Sequence, residues 1–167
     1  MNLKQTATAA HIYGKRVAMA EAFTQQEPHY THWSLGPAEM KPYANDAFCE
    51  GINKLLLHQS TCQLPSDGKP GYEFCAGQHF TPNITWWEKS TEFFSYLSRC
   101  QYLLQEGKFV GDVCFYLGER PPTLAPSKYL VPGLVAGYDC DHVNDEVLLT
   151  RMSVENGKVV LPAGMCY

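Results

Sequence analysis

The sequence predicts an α/β protein built on part of a parallel β-sheet. Short apolar segments at residues 16–20, 52–57 and 109–117 have the composition of strands, and helix candidates lie between them. Strands that alternate with helices are typical of parallel sheets covered by helices. In such sheets, ligand sites lie at the carboxyl ends of the strands.

The first third of the chain contains two helix–strand units. An alanine-rich helix ends before Gly14, and a second helix holds Pro42 in its first turn and ends at Gly51, as the usual helix signals require. The predicted elements are a helix at 3–13, a strand at 16–20, a loop at 25–37, a helix at 38–50 and a strand at 52–57.

The middle third begins with a loop at residues 59–82 that is rich in Gly, Pro, Ser and Asp. Loops of that length in a compact domain are usually functional or mobile. A capping box with Thr85 as N-cap and Glu88 three residues later predicts a helix over 85–106. The longest strand candidate follows at 109–117.

The last third contains a proline-rich connector at 121–132, a short helix at 145–152 capped by Asn144, and a hairpin at 153–161 around an Asn-Gly turn. The run at 139–144 has oxygen ligands at alternating positions. We interpret it mainly as helix capping, because it lacks the later Gly and Glu of an EF-hand loop. Metal binding is the weaker alternative.

Composition narrows the functional class. The chain has 167 residues, 45% hydrophobic and 18% charged, so it can bury a core. A net charge of -4 gives no electrostatic reason to expect nucleic acid or an anionic membrane as partner. No apolar run approaches the roughly 18–20 residues that span a bilayer, and the first residues do not form a signal peptide.

The seven cysteines form no CxxC pair, which argues against structural zinc. We expect free thiols in a reducing compartment. A disulfide between Cys62 and Cys75 remains an alternative that spacing alone does not decide.

Two titratable residues stand where predicted strands end. Glu21 follows the first strand and His58 the second, so both should lie at one edge of the sheet. A carboxylate at a buried strand end is either paired or held for acid–base chemistry. The alternatives are an ion pair of Glu21 with Lys or Arg, and a core histidine at position 58. Glu119, after the third strand, is a further carboxylate candidate or a solvated turn residue.

Tryptophans flank the same loops. Aromatic faces stack on the apolar face of a pyranose ring, so Trp33 and Trp86 are candidate carbohydrate contacts. Trp86 and Trp87 open a predicted helix, however, and at least one of them is expected in the core.

Several long blocks together resemble glycoside hydrolase family 106, the α-L-rhamnosidases and their close relatives. The resemblance covers residues 5–167 in order. The blocks are AHIYGKRVAMAEAFT, KPYANDAFCEGINKLLLH, PGYEF, TWWEKSTEFFSYLSRCQYLLQEGKFVGDVCFYLGE, GYDCD and LLTRMSVENGKVVLPAGMCY.

The resemblance implies a (β/α)8 catalytic barrel followed by a further α/β domain. Residues 1–108 would be the last strands and helices of the barrel, and residues 109–167 the beginning of the next domain, which removes Glu119 from the barrel. It further implies hydrolysis of terminal α-L-rhamnosides with inversion, assistance by calcium, and a catalytic role for Glu21. The family often acts outside the cytoplasm, so the parent is compatible with a periplasmic or secreted location.

The chain departs from the family pattern after the second strand. Cys62 stands where a second histidine is common, and Leu64 lies between Gln63 and Pro65. Gln63 and His58 remain the substrate-binding candidates of this loop. The family pattern places the second carboxylate upstream, so we expect an internal segment of a larger enzyme that is inactive alone. The alternatives are a non-catalytic carbohydrate-binding or scaffold domain, and a retaining galactosidase-like barrel with Glu21 as nucleophile.

Overall fold

The computed structural model describes residues 2–24, 33–118, 120 and 123–167. Helices and strands are mixed along these ranges, as predicted. The α-helices are α1 (Leu3–Ile12), α2 (Pro37–Cys49), α3 (Thr91–Glu106) and α4 (Asp145–Thr150). The strands are β1 (Met19–Ala22), β2 (Lys54–Leu57), β3 (Val113–Tyr116), β4 (Cys140–Val143), β5 (Ser153–Glu155) and β6 (Lys158–Val160).

The strands form three pairs. β1 and β2 are parallel, β3 and β4 are parallel, and β5 and β6 form the predicted antiparallel hairpin. Asn156 has a φ of 51° and Gly157 a φ of 76°, so the Asn-Gly turn adopts the left-handed backbone that this hairpin type requires. The parallel arrangement predicted for the first two strands is therefore present.

The two faces of the β1–β2 pair differ. One face packs Ala20 and Leu55 into a core with buried side chains from α2 and α3. The opposite face carries Met19 and Leu56, which are 48% and 53% exposed. Because parallel sheets are normally covered on both sides, the second face is the unusual feature of this pair.

α1 joins the two parallel pairs. Its Ala7 and Ala10 belong to the core around β1 and β2, whereas Ile12 belongs to a second cluster with Val143 of β4. Gly51 permits this close packing, because a methyl group there would lie 2.8 Å from the Cβ of Ala7. α1 is thus buried from two sides.

Strand boundaries differ from the prediction for a local reason. The first two strands begin at Met19 and Lys54, later than predicted. Asn53 accounts for this, because its side chain accepts from the Ala18 amide (2.9 Å) and donates to the Arg16 carbonyl (2.8 Å). The Asn53 side chain therefore takes the place of backbone hydrogen bonds between the strands just before the β1–β2 pairing begins.

The predicted capping box at Thr85 is wrong. α3 begins at Thr91, after a 3₁₀ turn over Trp87–Lys89. Trp86 and Trp87 both pack against Phe94, so side-chain packing shapes this turn rather than the cap signal. Local helix signals are weak compared with such tertiary contacts.

The interpretation of residues 139–144 is wrong except at Asn144. Four of these residues form β4, and all four are buried. Asn144 does cap α4, accepting from the Val147 amide at 3.1 Å. The polar Asp141 and His142 concealed the strand, because buried strands of parallel sheets usually read as continuous apolar runs.

Candidate active site

Glu21 and His58 lie at the same edge of the β1–β2 pair. Glu21 is opposite Leu56 in the register, and the His58 amide donates to the Ala22 carbonyl at 3.0 Å. The Nε2 atom of His58 is 3.9 Å from Oε1 of Glu21. This distance is too long for a direct hydrogen bond, but it makes the two groups neighbours on one surface.

The predicted burial of Glu21 is wrong for this chain. Its side chain is 47% exposed, because no described element covers this face of the sheet. Among the described residues, no lysine or arginine lies within ion-pair distance of its carboxylate. The alternative of a structural ion pair with a basic residue therefore has no support in these residues.

His58 is held by the long loop that follows β2. The Phe74 ring meets the imidazole edge-on, with 5.5 Å between centroids. Gly77 approaches so closely that a methyl group there would lie 2.2 Å from His58 Nδ1 and 2.8 Å from its carbonyl oxygen. The imidazole is consequently enclosed on one side and open toward Glu21.

The loop also closes against both strand ends. The Gln78 amide lies 3.0 Å from the carbonyls of both Phe23 and His58, and the Gln59 amide donates to the Gln78 carbonyl at 2.7 Å. Phe23 has a φ of 64°, an uncommon conformation for a bulky residue. Such backbone strain two residues after Glu21 is typical of functional sites.

We expect Gly77→Ala to destabilise the site. Gly77 has a φ of 84°, and an added methyl group would displace His58. The cost should be about 1–3 kcal/mol of unfolding free energy, measured by urea denaturation. Gly107→Ala is the matched control, since Gly107 has open space around it. Equal stability of the two variants would contradict the proposed packing.

Gln63 serves the loop itself. Its side-chain amide donates to the Tyr72 carbonyl at 2.7 Å and accepts from the Tyr72 amide at 2.9 Å. This two-point bridge ties together the two ends of a turn in the 59–82 loop. The hydrogen bonds of Gln63 stabilise the conformation of this loop, and its contact with substrate stays a prediction.

The tryptophans occupy two different environments. Trp33 stacks on His79 at 4.0 Å between centroids, and its indole N–H donates to Glu73 at 2.9 Å. Trp86 is half-buried and packs edge-on against Phe93, with 6.3 Å between centroids. Trp86 therefore contributes to the core, while Trp33 belongs to the loop region around His79.

Sequence reasoning missed three residues of this region: Phe74, Gly77 and His79. Their signals were present but weak, since Phe74 lies in the PGYEF block and Gly77 is one of several loop glycines. Glu119 and residues 25–32 of the first loop lie outside the described residues.

Within the described ranges, no group of three or more His, Cys, Asp or Glu side chains is placed to bind a metal ion. Asp139 accepts from Lys4 at 2.6 Å and Lys128 at 3.0 Å. Burial opposes ionisation of Asp139, but these bonds hold its pKa below the usual value. A carboxylate so occupied does not suit calcium, and calcium stays a prediction for the parent.

All seven cysteines are free thiols, as expected, and Cys62 and Cys75 do not form the alternative disulfide. Burial raises the pKa of Cys114 to about 12 and that of Cys140 to about 11, which disfavours the reactive thiolate form of both. No helix in the described ranges has the length and apolar character needed to cross a bilayer.

Comparison with known proteins is consistent along the whole chain. The family profile of glycoside hydrolase family 106, described as alpha-L-rhamnosidase, matches residues 1–167. A solved rhamnosidase from Novosphingobium sp. PP1Y has a TM-score of 0.80 and 30% identity, covering 99% of this chain and 16% of that one. A Formosa agariphila protein provisionally named as a beta-glucuronidase is 34% identical over 166 residues, 98% of this chain and 14% of its own.

Proposed function

Because this chain belongs to glycoside hydrolase family 106, the α-L-rhamnosidase family, we propose that it supplies one catalytic carboxylate, Glu21, to a glycosidase that acts on terminal α-L-rhamnosides. The observation that carries the proposal is the proximity of Glu21 and His58 at the carboxyl edge of a parallel strand pair. The chain spans 16% of the solved rhamnosidase, so the remainder of the site belongs to the parent protein.

The barrel assignment follows from the two faces of β1 and β2. In a (β/α)8 barrel, helices cover the outside of the strands and the opposite face lines the interior. α2 and α3 cover one face here, and the other carries Met19, Glu21 and Leu56. We therefore assign residues 1–108 to the end of the barrel, with Glu21 at its mouth, and residues 109–167 to a following α/β domain.

Inversion requires two carboxylic groups about 6.5–9.5 Å apart, one as acid and one as base toward a water molecule. Glu21 suits the base, because its half-exposed carboxylate leaves room for water. It would accept a proton as the water oxygen bonds to the anomeric carbon. The acid, outside this chain, would protonate the departing oxygen. His58 would position Glu21 or hold a sugar hydroxyl.

A neutral sugar fits this edge better than a uronic acid, the substrate class that the name of the Formosa agariphila relative indicates. Binding a uronate carboxylate normally uses Arg or Lys. Among the described residues, His58 lies next to Glu21 and the Phe74 ring packs on His58, and no lysine or arginine is within ion-pair distance of the Glu21 carboxylate. The non-catalytic binding or scaffold role remains the second candidate, because Cys62 departs from the family pattern.

The test is hydrolysis of an aryl α-L-rhamnoside by the parent and by the isolated 167-residue chain, with the product anomer followed by NMR. We expect the parent to release rhamnose of inverted configuration and the isolated chain to release none. Retained configuration would point to the galactosidase-like alternative. Binding without hydrolysis by the parent would support the scaffold role. Turnover by the isolated chain would contradict the need for an external acid.

A further inference from the structure

A cavity lies away from Glu21, at the carboxyl ends of β3 and β4. Its volume is about 240 Å³, and α1 forms one wall. Leu117 and Asn144, which directly follow the two strands, line it together with Ile12. This is the edge at which open parallel sheets bind ligands, and it belongs to a different strand pair from the Glu21 site.

His142 is the unusual side chain of this cavity. It is only 4% exposed, and neither ring nitrogen has a hydrogen-bond partner within the described ranges. Its ring stacks on Phe115, with 5.8 Å between centroids and an interplanar angle of 27°. Burial lowers the pKa of His142, so the imidazole is neutral at pH 7. It then offers one donor and one acceptor.

Nearby polar side chains are bonded elsewhere, so the donor and the acceptor of the His142 ring have no partner among the described residues. The Thr8 hydroxyl donates to Asp141 at 2.9 Å, and the Asn144 side chain accepts from the Val147 amide. Leaving a buried polar group without a partner costs about 1–3 kcal/mol, so such groups call for an explanation. A partner that enters the cavity would remove this cost.

The lining indicates the chemistry of that partner. Apart from the neutral His142, the described lining residues carry no ionisable group except the Tyr13 phenol, whose hydroxyl donates to Glu146 at 2.6 Å. Ile12, Leu117 and Val147 provide apolar walls. The volume far exceeds the roughly 10–15 Å³ that one water needs, and is slightly below the roughly 300–1,000 Å³ of drug-sized sites. A small, uncharged molecule with hydroxyl groups matches these properties.

We propose that the His142 cavity is a second ligand site, which binds a neutral polyhydroxylated molecule of about one sugar ring. A ligand hydroxyl would donate to one imidazole nitrogen, and a second would accept from the other, while the C–H face of the ring lies against the apolar walls. The site does not depend on the proposed hydrolase activity, because no residue is shared with the Glu21 edge.

The first test soaks crystals of the parent protein with L-rhamnose and, separately, with D-galactose. We expect density for a sugar ring within hydrogen-bond distance of His142. Ordered water alone, or His142 nitrogens bonded to another part of the parent, would overturn the proposal.

The second test measures sugar binding to the parent protein by saturation-transfer NMR. Ala9→Phe places a bulky ring at an exposed helix position that lines the cavity, and His142→Phe removes both nitrogens. Each should weaken binding at least about tenfold, a difference of about 1.4 kcal/mol. Thr6→Phe, exposed on the same helix but outside the cavity, is the control and should bind normally.

His58→Ala separates the two sites, because it alters only the Glu21 edge and should leave the cavity signal unchanged. In the His58→Ala background, binding that survives Ala9→Phe, or binding that Thr6→Phe abolishes equally, would contradict the assignment. The absence of saturable binding by either sugar would also contradict it.

Discussion

Replacing Glu21 by glutamine in the parent glycosidase should lower kcat by about 10²- to 10⁴-fold, the usual contribution of a general acid or base. Glutamine keeps the shape of the side chain but accepts no proton from water. KM should change little, because the interaction is made chiefly in the transition state. Steady-state kinetics on an aryl α-L-rhamnoside measure both constants.

The dependence on leaving group identifies the role of Glu21. A nitrophenolate departs with little help from an acid, so loss of the acid would be mild with that substrate and severe with an alkyl rhamnoside. Loss of the base should be equally severe with both, because both need an activated water. We expect equal losses for Glu21→Gln.

Glu92→Gln is the matched control, since Glu92 is exposed on α3, away from the strand ends. It should retain parental activity. If Glu21→Gln retained it as well, Glu21 would not be the catalytic carboxylate, and the assignment of the β1–β2 edge as the active site would fail. Circular dichroism of the variants distinguishes loss of chemistry from loss of fold.

The neighbourhood of Glu21 and His58 could be predicted from sequence because it depends on topology. Parallel strands place their carboxyl ends at one edge, so two residues that follow such strands must be close. The exposure of Glu21 could not be predicted, because it depends on which other chain segments cover that face. Local sequence carries no information about those segments.

The contacts made by the long loop were beyond sequence reasoning for a related reason. Gln63 carries an amide that could bind a sugar, and only the structure shows that the Tyr72 backbone uses both of its polar atoms. Trp86 could likewise stack on a ligand, but it packs with other aromatic residues. Residue type predicts what a side chain can bind, whereas position determines what it does bind.

β4 illustrates the same limit in the second strand pair. The sequence of β4 contains the polar Asp141 and His142, so it can be recognised as a buried strand only when the hydrogen-bond partners of Asp141 are known. Asp141 is fully buried and accepts from the Thr8 hydroxyl at 2.9 Å and the Tyr167 hydroxyl at 2.8 Å, and His11 Nδ1 lies 2.9 Å from it. These partners come from α1 and the last residue, far away in sequence, so they left no local pattern.

Asp141→Ala should therefore cause a large loss of stability. It removes the shared acceptor of three side chains and leaves their polar groups buried without a partner. Breaking a buried charged network in this way typically costs about 3–5 kcal/mol, seen as a lower urea midpoint with an unchanged m-value. Asp46→Ala, at an exposed position of α2, is the control and should change stability by less than about 0.5 kcal/mol.

Asp141→Asn separates the role of charge from that of packing. The asparagine oxygen can still accept, and hydroxyl groups can rotate to accept from its amide, so this variant should lose less stability than Asp141→Ala. Burial and the nearby Asp141 carboxylate both raise the pKa of Tyr167. Removing the charge should shift that pKa back toward its usual value. If Asp141→Ala were as stable as the Asp46→Ala control in urea denaturation, Asp141 would not hold this network together.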